Sequence, residues 1–273
     1  MNTRSVTLVG CGNMGSLLLK MLIEANLFFS VTVVEPDCSK ESVLLKIGHD
    51  HTSQTIHFID NQTSIKEKQD LIIFAIKPQI APEIITNYKT LLKDDSIVVS
   101  VMAGKQISSI EAILRKGLKM VRVMPNIGAQ INKSVNAIYA KGLSNEDVKL
   151  IDTLFAKIGI NIFLDNEEMM HGATVIAGCA PGYIAKLSQI LTEVTVSFGF
   201  DANLARNMVM SSLVCGTELL ISNPTEKFED TIKRVSSKGG VTEKIVESIE
   251  DIANDIKDVM REGYKRSKSL SND

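Results

Sequence analysis

The segment Gly10-Cys11-Gly12-Asn13-Met14-Gly15 fits the pattern GxGxxG, and its residue types suit the binding of a pyrophosphate. Gly10 permits a tight turn. Gly12 lacks a side chain, so the backbone can approach phosphate oxygens. Gly15 allows close packing of the following helix, which Asn13 and Met14 open and whose N–H groups and positive dipole end face an anion. The apolar run Val6–Val9 precedes the motif and helical spacing over Met14–Ala25 follows it. That strand–turn–helix context separates a dinucleotide cradle from a glycine-rich turn without a ligand. At the end of the next apolar run stands Glu35, 20 residues beyond Gly15. A carboxylate there accepts hydrogen bonds from both adenosine ribose hydroxyls and repels a 2′-phosphate. The expectation is NAD(P)H with NADH favoured by Glu35, although Lys40 is close enough in sequence to offset the repulsion, and Glu35 also reads as a solvated charge.

The remaining reactive side chains read as structural. His49-Asp50-His51 has no nearby third ligand and is taken as a solvated loop, so no metal site is expected. Cys11, Cys38, Cys179 and Cys215 form no CxxC pair and are taken as reduced packing residues.

These candidates must be held by a fold. Short, Val- and Ile-rich strands are predicted at Val6–Val9, Val31–Val34, Ile56–Ile59, Leu71–Ile76, Ile97–Val101 and Met120–Met124, followed by Val135–Tyr139 and Ile160–Leu164. Helical spacing lies between them at Met14–Ala25, Lys40–Ile47, Pro82–Leu92 and Ile107–Leu114, and Ser144 caps a further helix with Asp147 in its first turn. The alternation predicts an α/β fold built on an open parallel sheet of Rossmann type. After Asp165 only helical periodicity remains, ending in one amphipathic helix from Glu243 to about Ser267. The division is therefore a dinucleotide-binding domain over 1–165 and an all-helical domain over 166–273, with Asn166 as an N-cap.

Of the 273 residues, 44% are apolar, which excludes a disordered chain. The 30 basic and 32 acidic residues nearly cancel, and aromatic residues make up 5% with no Trp, so no nucleic-acid partner is expected. Met1–Ser5 is polar, the run Val6–Val9 is too short for a signal peptide, and no run of 18 apolar residues occurs. The expectation is a cytoplasmic protein with no membrane span.

Further segments carry a resemblance. Ala75-Ile76-Lys77-Pro78, Ser100-Val101-Met102-Ala103-Gly104 and Val121-Arg122-Val123-Met124-Pro125-Asn126 each close a predicted strand. With the opening glycine motif, their spacing resembles the pyrroline-5-carboxylate reductase family. The match runs on through Thr174-Val175-Ile176-Ala177-Gly178-Cys179-Ala180-Pro181-Gly182-Tyr183, which resembles that family's T-x-x-S-G-S-G-P-A-Y. It ends in Val235-Ser236-Ser237-Lys238-Gly239-Gly240-Val241-Thr242, similar to V-S-S-P-G-G-x-T.

The resemblance implies reduction of the C=N bond of 1-pyrroline-5-carboxylate to L-proline, the last step of proline biosynthesis. It places Ala75, Lys77, Pro78, Ala103, Gly104 and Asn126 beside the cofactor, with Asn61 on the adenosine side. Ser236, Ser237, Lys238, Gly239, Gly240, Val241 and Thr242 would hold the substrate, with Thr242 as the catalytic residue at the ring nitrogen. The glycines of that loop permit turns that aim N–H groups at one carboxylate, and its hydroxyls add donors; a plain helix entrance is the simpler alternative. A homodimer, or a larger homo-oligomer of dimers, is implied. Departures fall near the same pocket: Ala177 and Cys179 replace two serines, Ala180 a glycine and Lys238 a proline, and Ile127-Gly128 stands where the family has T-P. They leave open a related imine reductase or a non-catalytic NAD(P)-binding sensor or paralogue.

Overall fold

The structure, a computed structural model, describes residues 4–37 and 54–271. Cys38, Lys40, the segment 40–47 and His49-Asp50-His51 lie outside the described residues. Eight strands, β1 (Ser5–Val9), β2 (Ser30–Val34), β3 (Thr55–Ile59), β4 (Gln69–Phe74), β5 (Leu92–Ser100), β6 (Lys119–Met124), β7 (Ser134–Lys141) and β8 (Gly159–Phe163), form one sheet in the order 3-2-1-4-5-6-7-8. Neighbours are parallel except β6 and β7. That exception corrects the expectation of a wholly parallel sheet. Only a 3₁₀ turn over Ile127–Ile131 separates β6 from β7, too short a connection for the crossover that a parallel pair needs.

The central strands read as continuous apolar runs because both of their faces are buried. Val6, Leu8, Leu71 and Ile73 join one layer with Leu18, Leu19 and Leu22 of α1 (Asn13–Ala25) and Ile151, Leu154 and Phe155 of α4 (Asn145–Phe155). Val9, Ile72, Phe74 and Val98 face the other way, toward Ile85 of α2 (Ala81–Thr86), Tyr88, and Ile107 and Ile110 of α3 (Ile107–Ile113). The helix expected over Pro82–Leu92 stops at Thr86. Tyr88 turns into the core edge-on to Phe74, and a 3₁₀ turn at Lys89–Leu91 leads into β5, which begins at Leu92 rather than Ile97. β4 likewise ends at Phe74, two residues before the predicted end.

Only helices follow β8 among the described residues: α5 (Met169–Ala173), a π-helical turn (Thr174–Gly178), α6 (Ala180–Ser197), α7 (Ala202–Ser222), α8 (Phe228–Val235), α9 (Val241–Asp251) and α10 (Ala253–Ser269). Asn166 accepts the Met169 N–H at 3.1 Å, although α5 itself opens after Glu168. The single terminal helix expected from Glu243 is two helices, broken at Ile252. Acidic residues bracket the break. Glu250 and Asp251 oppose the negative end of α9, whereas Asp255 suits the positive start of α10.

The chain divides into two compact units, residues up to 179 together with 264 onward, and residues 180–263. In the second unit only Ala205 and Val209 are fully buried, and Ile184, Leu187, Ile190, Leu191, Ile245 and Ile249 are exposed. Apolar exposure on that scale marks an association surface. Cys179 and Cys215 are also exposed, which corrects their reading as buried packing residues; Cys11 is buried as expected. α7 is long and apolar enough to cross a membrane by length and composition, though Arg206 and Glu218 interrupt it.

At α4, Ser144 and Asp147 form a reciprocal capping box. Burial alone would raise the Asp147 pKa. The bonds from Lys119 (2.7 Å) and from the Ser144 N–H and hydroxyl outweigh it and hold the carboxyl below its usual range. A depressed carboxyl stabilises the fold fully above its unfolded pKa, about 3.9, and that stabilisation is lost as pH falls through the folded value. Asp147→Asn is therefore expected to narrow the gap between urea midpoints at pH 7 and pH 3. An unchanged gap would contradict the assignment.

Candidate active site

β1 leaves the sheet at Gly10, whose φ of +89° suits glycine. A Cβ there would lie 2.7 Å from the Ala75 carbonyl oxygen. The Gly10 N–H donates to the Val34 carbonyl at 2.9 Å, so the turn is tied to β2 as well as β1. One turn into α1, a Cβ on Gly15 would lie 2.2 Å from the Gly10 carbonyl oxygen. The helix thus packs on the backbone of its own entry turn. Gly12 differs: its φ of −72° is ordinary, and nothing lies within 4 Å of an added Cβ. As N-cap it gives no side chain to the first N–H groups of α1, the arrangement an anion cradle requires.

Glu35, half-buried at the end of β2, accepts the Cys11 N–H on Oε2 at 2.7 Å and the Asp37 N–H on Oε1 at 3.2 Å. Strand order then lines up the other residues along the carboxyl edge of the sheet. Asn61 follows β3, where its Oδ1 accepts the Thr63 N–H at 3.0 Å. Ala75, the exposed Lys77 and Pro78 follow β4; the exposed Ala103 and Gly104 follow β5; Asn126 follows β6. This edge is where open α/β sheets bind ligands. Asn126 is buried and its amide is engaged at both ends, donating to the Ala177 carbonyl at 2.9 Å and accepting the Gly128 N–H at 2.8 Å.

Sequence reasoning missed what supports this edge. Glu167 Oε1 accepts from Arg122 Nη1 at 3.1 Å and from the Ile107 N–H at 2.8 Å. The end of α10 returns to the first unit, where Ser267 meets Nδ1 of buried His171 at 3.0 Å and Lys268 pairs with Glu168. Burial pushes the His171 imidazole pKa down. The Leu270 carbonyl oxygen would lie 2.9 Å from a Cβ on Gly104. No local pattern announces hydrogen bonds between residues 45, 60 and 96 positions apart.

In the second unit, α8 ends at Val235 and the chain turns through Gly239 (φ +72°) into α9, with Gly240 as N-cap. The Gly240 N–H donates to the Ser237 carbonyl at 2.8 Å, and the Gly239 N–H to Glu243 Oε2 at 2.7 Å. A Cβ on Gly240 would lie 2.4 Å from Ser237 Oγ. Val241, Thr242 and Glu243 form a first helical turn without a side-chain cap. Ser236 Oγ is buried with no hydrogen-bond partner among the described residues. Thr242 is half-buried and Lys238 exposed. The N–H groups of Gly239 and Gly240 are thus used within the loop, which leaves those at the start of α9 without a side-chain cap.

Residues 167–270 match the family model described as pyrroline-5-carboxylate reductase dimerisation, and residues 5–104 match one described as NADP oxidoreductase, coenzyme F420-dependent. The pyrroline-5-carboxylate reductase of Pasteurella multocida is 26% identical over 249 residues, covering 89% of this chain and 88% of that one. Family models, curated relatives and solved structures alike indicate the pyrroline-5-carboxylate reductase family. Two solved structures share the fold. The reductase of Coxiella burnetii superposes with a TM-score of 0.87 at 20% identity and covers 99% of both chains. The Plasmodium falciparum pyrroline carboxylate reductase with NADP bound gives 0.79 at 22% identity, again over 99% of both chains. An α/β domain of Rossmann type followed by a helical dimerisation region is the architecture of this family, as expected.

The glycines make separable predictions. Gly15→Ala must displace backbone and is expected to lower the thermal midpoint as well as NADH binding. Gly12→Ala meets no atom, so stability should stay within about 0.5 kcal/mol of wild type. NADH titration should still weaken on Gly12→Ala by about tenfold or more, because the methyl group enters the space of the phosphates. Equal stability losses in the two variants would contradict this division of roles.

Proposed function

We propose that this protein is an NAD(P)H-dependent pyrroline-5-carboxylate reductase, reducing the C=N bond of 1-pyrroline-5-carboxylate to L-proline as the last step of proline biosynthesis. The observation that carries the proposal is the pair of glycine-built helix entrances in one collinear family match. One follows β1 and the other opens α9.

The residues fit a dinucleotide. Gly12 and the N–H groups of Asn13, Met14 and Gly15 would hold the pyrophosphate, where a Cβ on Gly12 meets nothing within 4 Å, and Glu35 and Asn61 would hold the adenosine. Ala75, Lys77, Pro78, Ala103 and Gly104 line the edge toward the nicotinamide. When bound, NAD(P)H supplies the hydride and so carries the redox chemistry. The chain supplies placement. N–H groups at the start of α9, with the hydroxyls of Ser236 and Ser237 and the exposed Lys238, hold the substrate carboxylate. Glycines 239 and 240 let the backbone close around it. The Thr242 hydroxyl would hydrogen-bond the ring nitrogen and hold the proton of the protonated imine in place. Fixing the carboxylate and the nitrogen leaves the imine carbon one orientation, which is where most of the rate gain of such a site arises.

NADH is the favoured cofactor on this reading, because the Glu35 carboxylate, fixed by the Cys11 N–H at 2.7 Å, would repel a 2′-phosphate. Residues 1–165 serve dinucleotide binding, and residues 166–273 serve dimerisation and substrate binding. The exposed apolar faces of α6, α7 and α9 are covered by further copies of the chain, in a homodimer or an oligomer of dimers in the cytoplasm. The losses of hydroxyl at Ala177 and Cys179 favour, as the second reading, an imine reductase acting on a related ring.

The deciding assay follows NADH absorbance with pyrroline-5-carboxylate. Turnover is expected, and tight NADH binding without turnover on either cofactor would reject the enzyme. Thr242→Ala should lower kcat by about a hundredfold with NADH affinity nearly unchanged; equal effects on both would remove Thr242 from the imine. Glu35→Gln keeps an acceptor for the Cys11 N–H and deletes the charge, so the NADPH-to-NADH ratio of kcat/KM should rise. An unchanged ratio would remove Glu35 from the ribose.

A further inference from the structure

α5 and α6 are not joined by an ordinary helical turn. Over Thr174–Gly178 the chain is π-helical, and the Cys179 N–H reaches back five residues to the Thr174 carbonyl at 2.9 Å. Such turns are uncommon and gather at functional sites. The sequence holds a reason for irregularity here. In an α-helix the Ala177 carbonyl would take its bond from residue 181, which is Pro181 and has no N–H to give. A half-buried carbonyl deprived of its helical donor needs another. The Cys179 N–H, shared with Thr174, is the backbone donor that turns toward it, and Asn126 adds a side-chain donor, from Nδ2 at 2.9 Å across 51 residues of sequence.

The donor is itself fixed. Asn126 Oδ1 accepts the Gly128 N–H at 2.8 Å, and the Asn126 N–H donates to Ser134 Oγ at 2.9 Å, so the side chain has one setting. Gly128 is held in turn, since a Cβ there would lie 2.7 Å from the Lys133 carbonyl oxygen. The π turn also packs directly on β6: a Cβ on Gly178 would lie 3.2 Å from Met124 Cε. A larger residue at 178 would have to displace the Met124 side chain, and the turn leaves Ile176 and Cys179 exposed.

We infer that Asn126 is a positioning residue for the reaction rather than a cofactor contact: it replaces the hydrogen bond that Pro181 withholds from the Ala177 carbonyl and so fixes the π turn against the carboxyl end of β6. Asn126 lies one strand beyond the edge residues Ala103 and Gly104, so a slack turn disturbs the site without touching the dinucleotide cradle. The kinetic consequence rests on the reductase reading; the hydrogen-bond link does not.

A double-mutant cycle tests it. Asn126→Asp keeps the acceptor for Gly128 but cannot donate to Ala177. It should lower kcat by about tenfold or more while NADH affinity stays within about twofold, the pattern of misplacement rather than lost binding. Pro181→Ala restores an N–H at position 181 and on its own should stay near wild type. In the double variant Pro181→Ala should recover most of the loss, because the Ala177 carbonyl again has a helical donor. NADH affinity falling in step with kcat would make Asn126 a cofactor contact, and a double variant no better than Asn126→Asp would break the link; either result overturns the inference. If the wild-type enzyme proves inactive, the reductase reading fails. The same cycle read by thermal midpoint then decides the link, with rescue supporting it and additive losses refuting it.

Discussion

Helix α1 starts where it does because two glycines touch. With any side chain at residue 15 the helix would collide with the Gly10 carbonyl, and with any side chain at residue 10 the turn would collide with Ala75. That contact settles the direction in which the free N–H groups of α1 point. It also brings the end of β1 close enough to β2 for Glu35 to reach the Cys11 N–H. The remaining edge residues inherit their places from the sheet. Parallel pairing brings the ends of β3, β2, β1, β4, β5 and β6 to one side, and the side chains after each strand collect there.

The second unit uses the same physics with different parts. There too a helix opens on glycine without a side-chain cap, and there too a carboxylate fastens the loop by one backbone N–H, Glu243 on Gly239. Each loop thus carries a negative charge beside a proposed anion site. Affinity for an anion must then come from directed N–H groups at short range, not from net charge, which fits a chain whose charges nearly cancel. It also implies discrimination, since an anion not seated on the N–H groups meets only the carboxylate.

Features with a local cause were legible in the sequence. The glycine turn, the buried parallel strands and the Ser144 capping box each depend on residues a few positions apart, and the structure has all three. What depended on distant partners was not. The helix over Pro82–Leu92 was cut short because Tyr88 is drawn to Phe74, a core contact that overrides helical spacing. The π turn had a local sign, Pro181 four residues after Ala177, but its stabilising donor is Asn126 on another element. Cys179 and Cys215 read as packing residues because no CxxC pair marks them out, but both are exposed, on helices whose apolar faces are also exposed.

On the proposed function, each of two uncapped helix entrances binds an anion, that of α1 a pyrophosphate and that of α9 the substrate carboxylate. The most direct measurement is a crystal structure of the assembled protein with NAD⁺ and L-proline. Pyrophosphate oxygens are expected on the N–H groups following Gly12, the proline carboxylate on the N–H groups of Val241–Glu243, and the ring nitrogen at the Thr242 hydroxyl. Pyrophosphate bound away from Gly12, or a proline carboxylate held by any other segment, would contradict it.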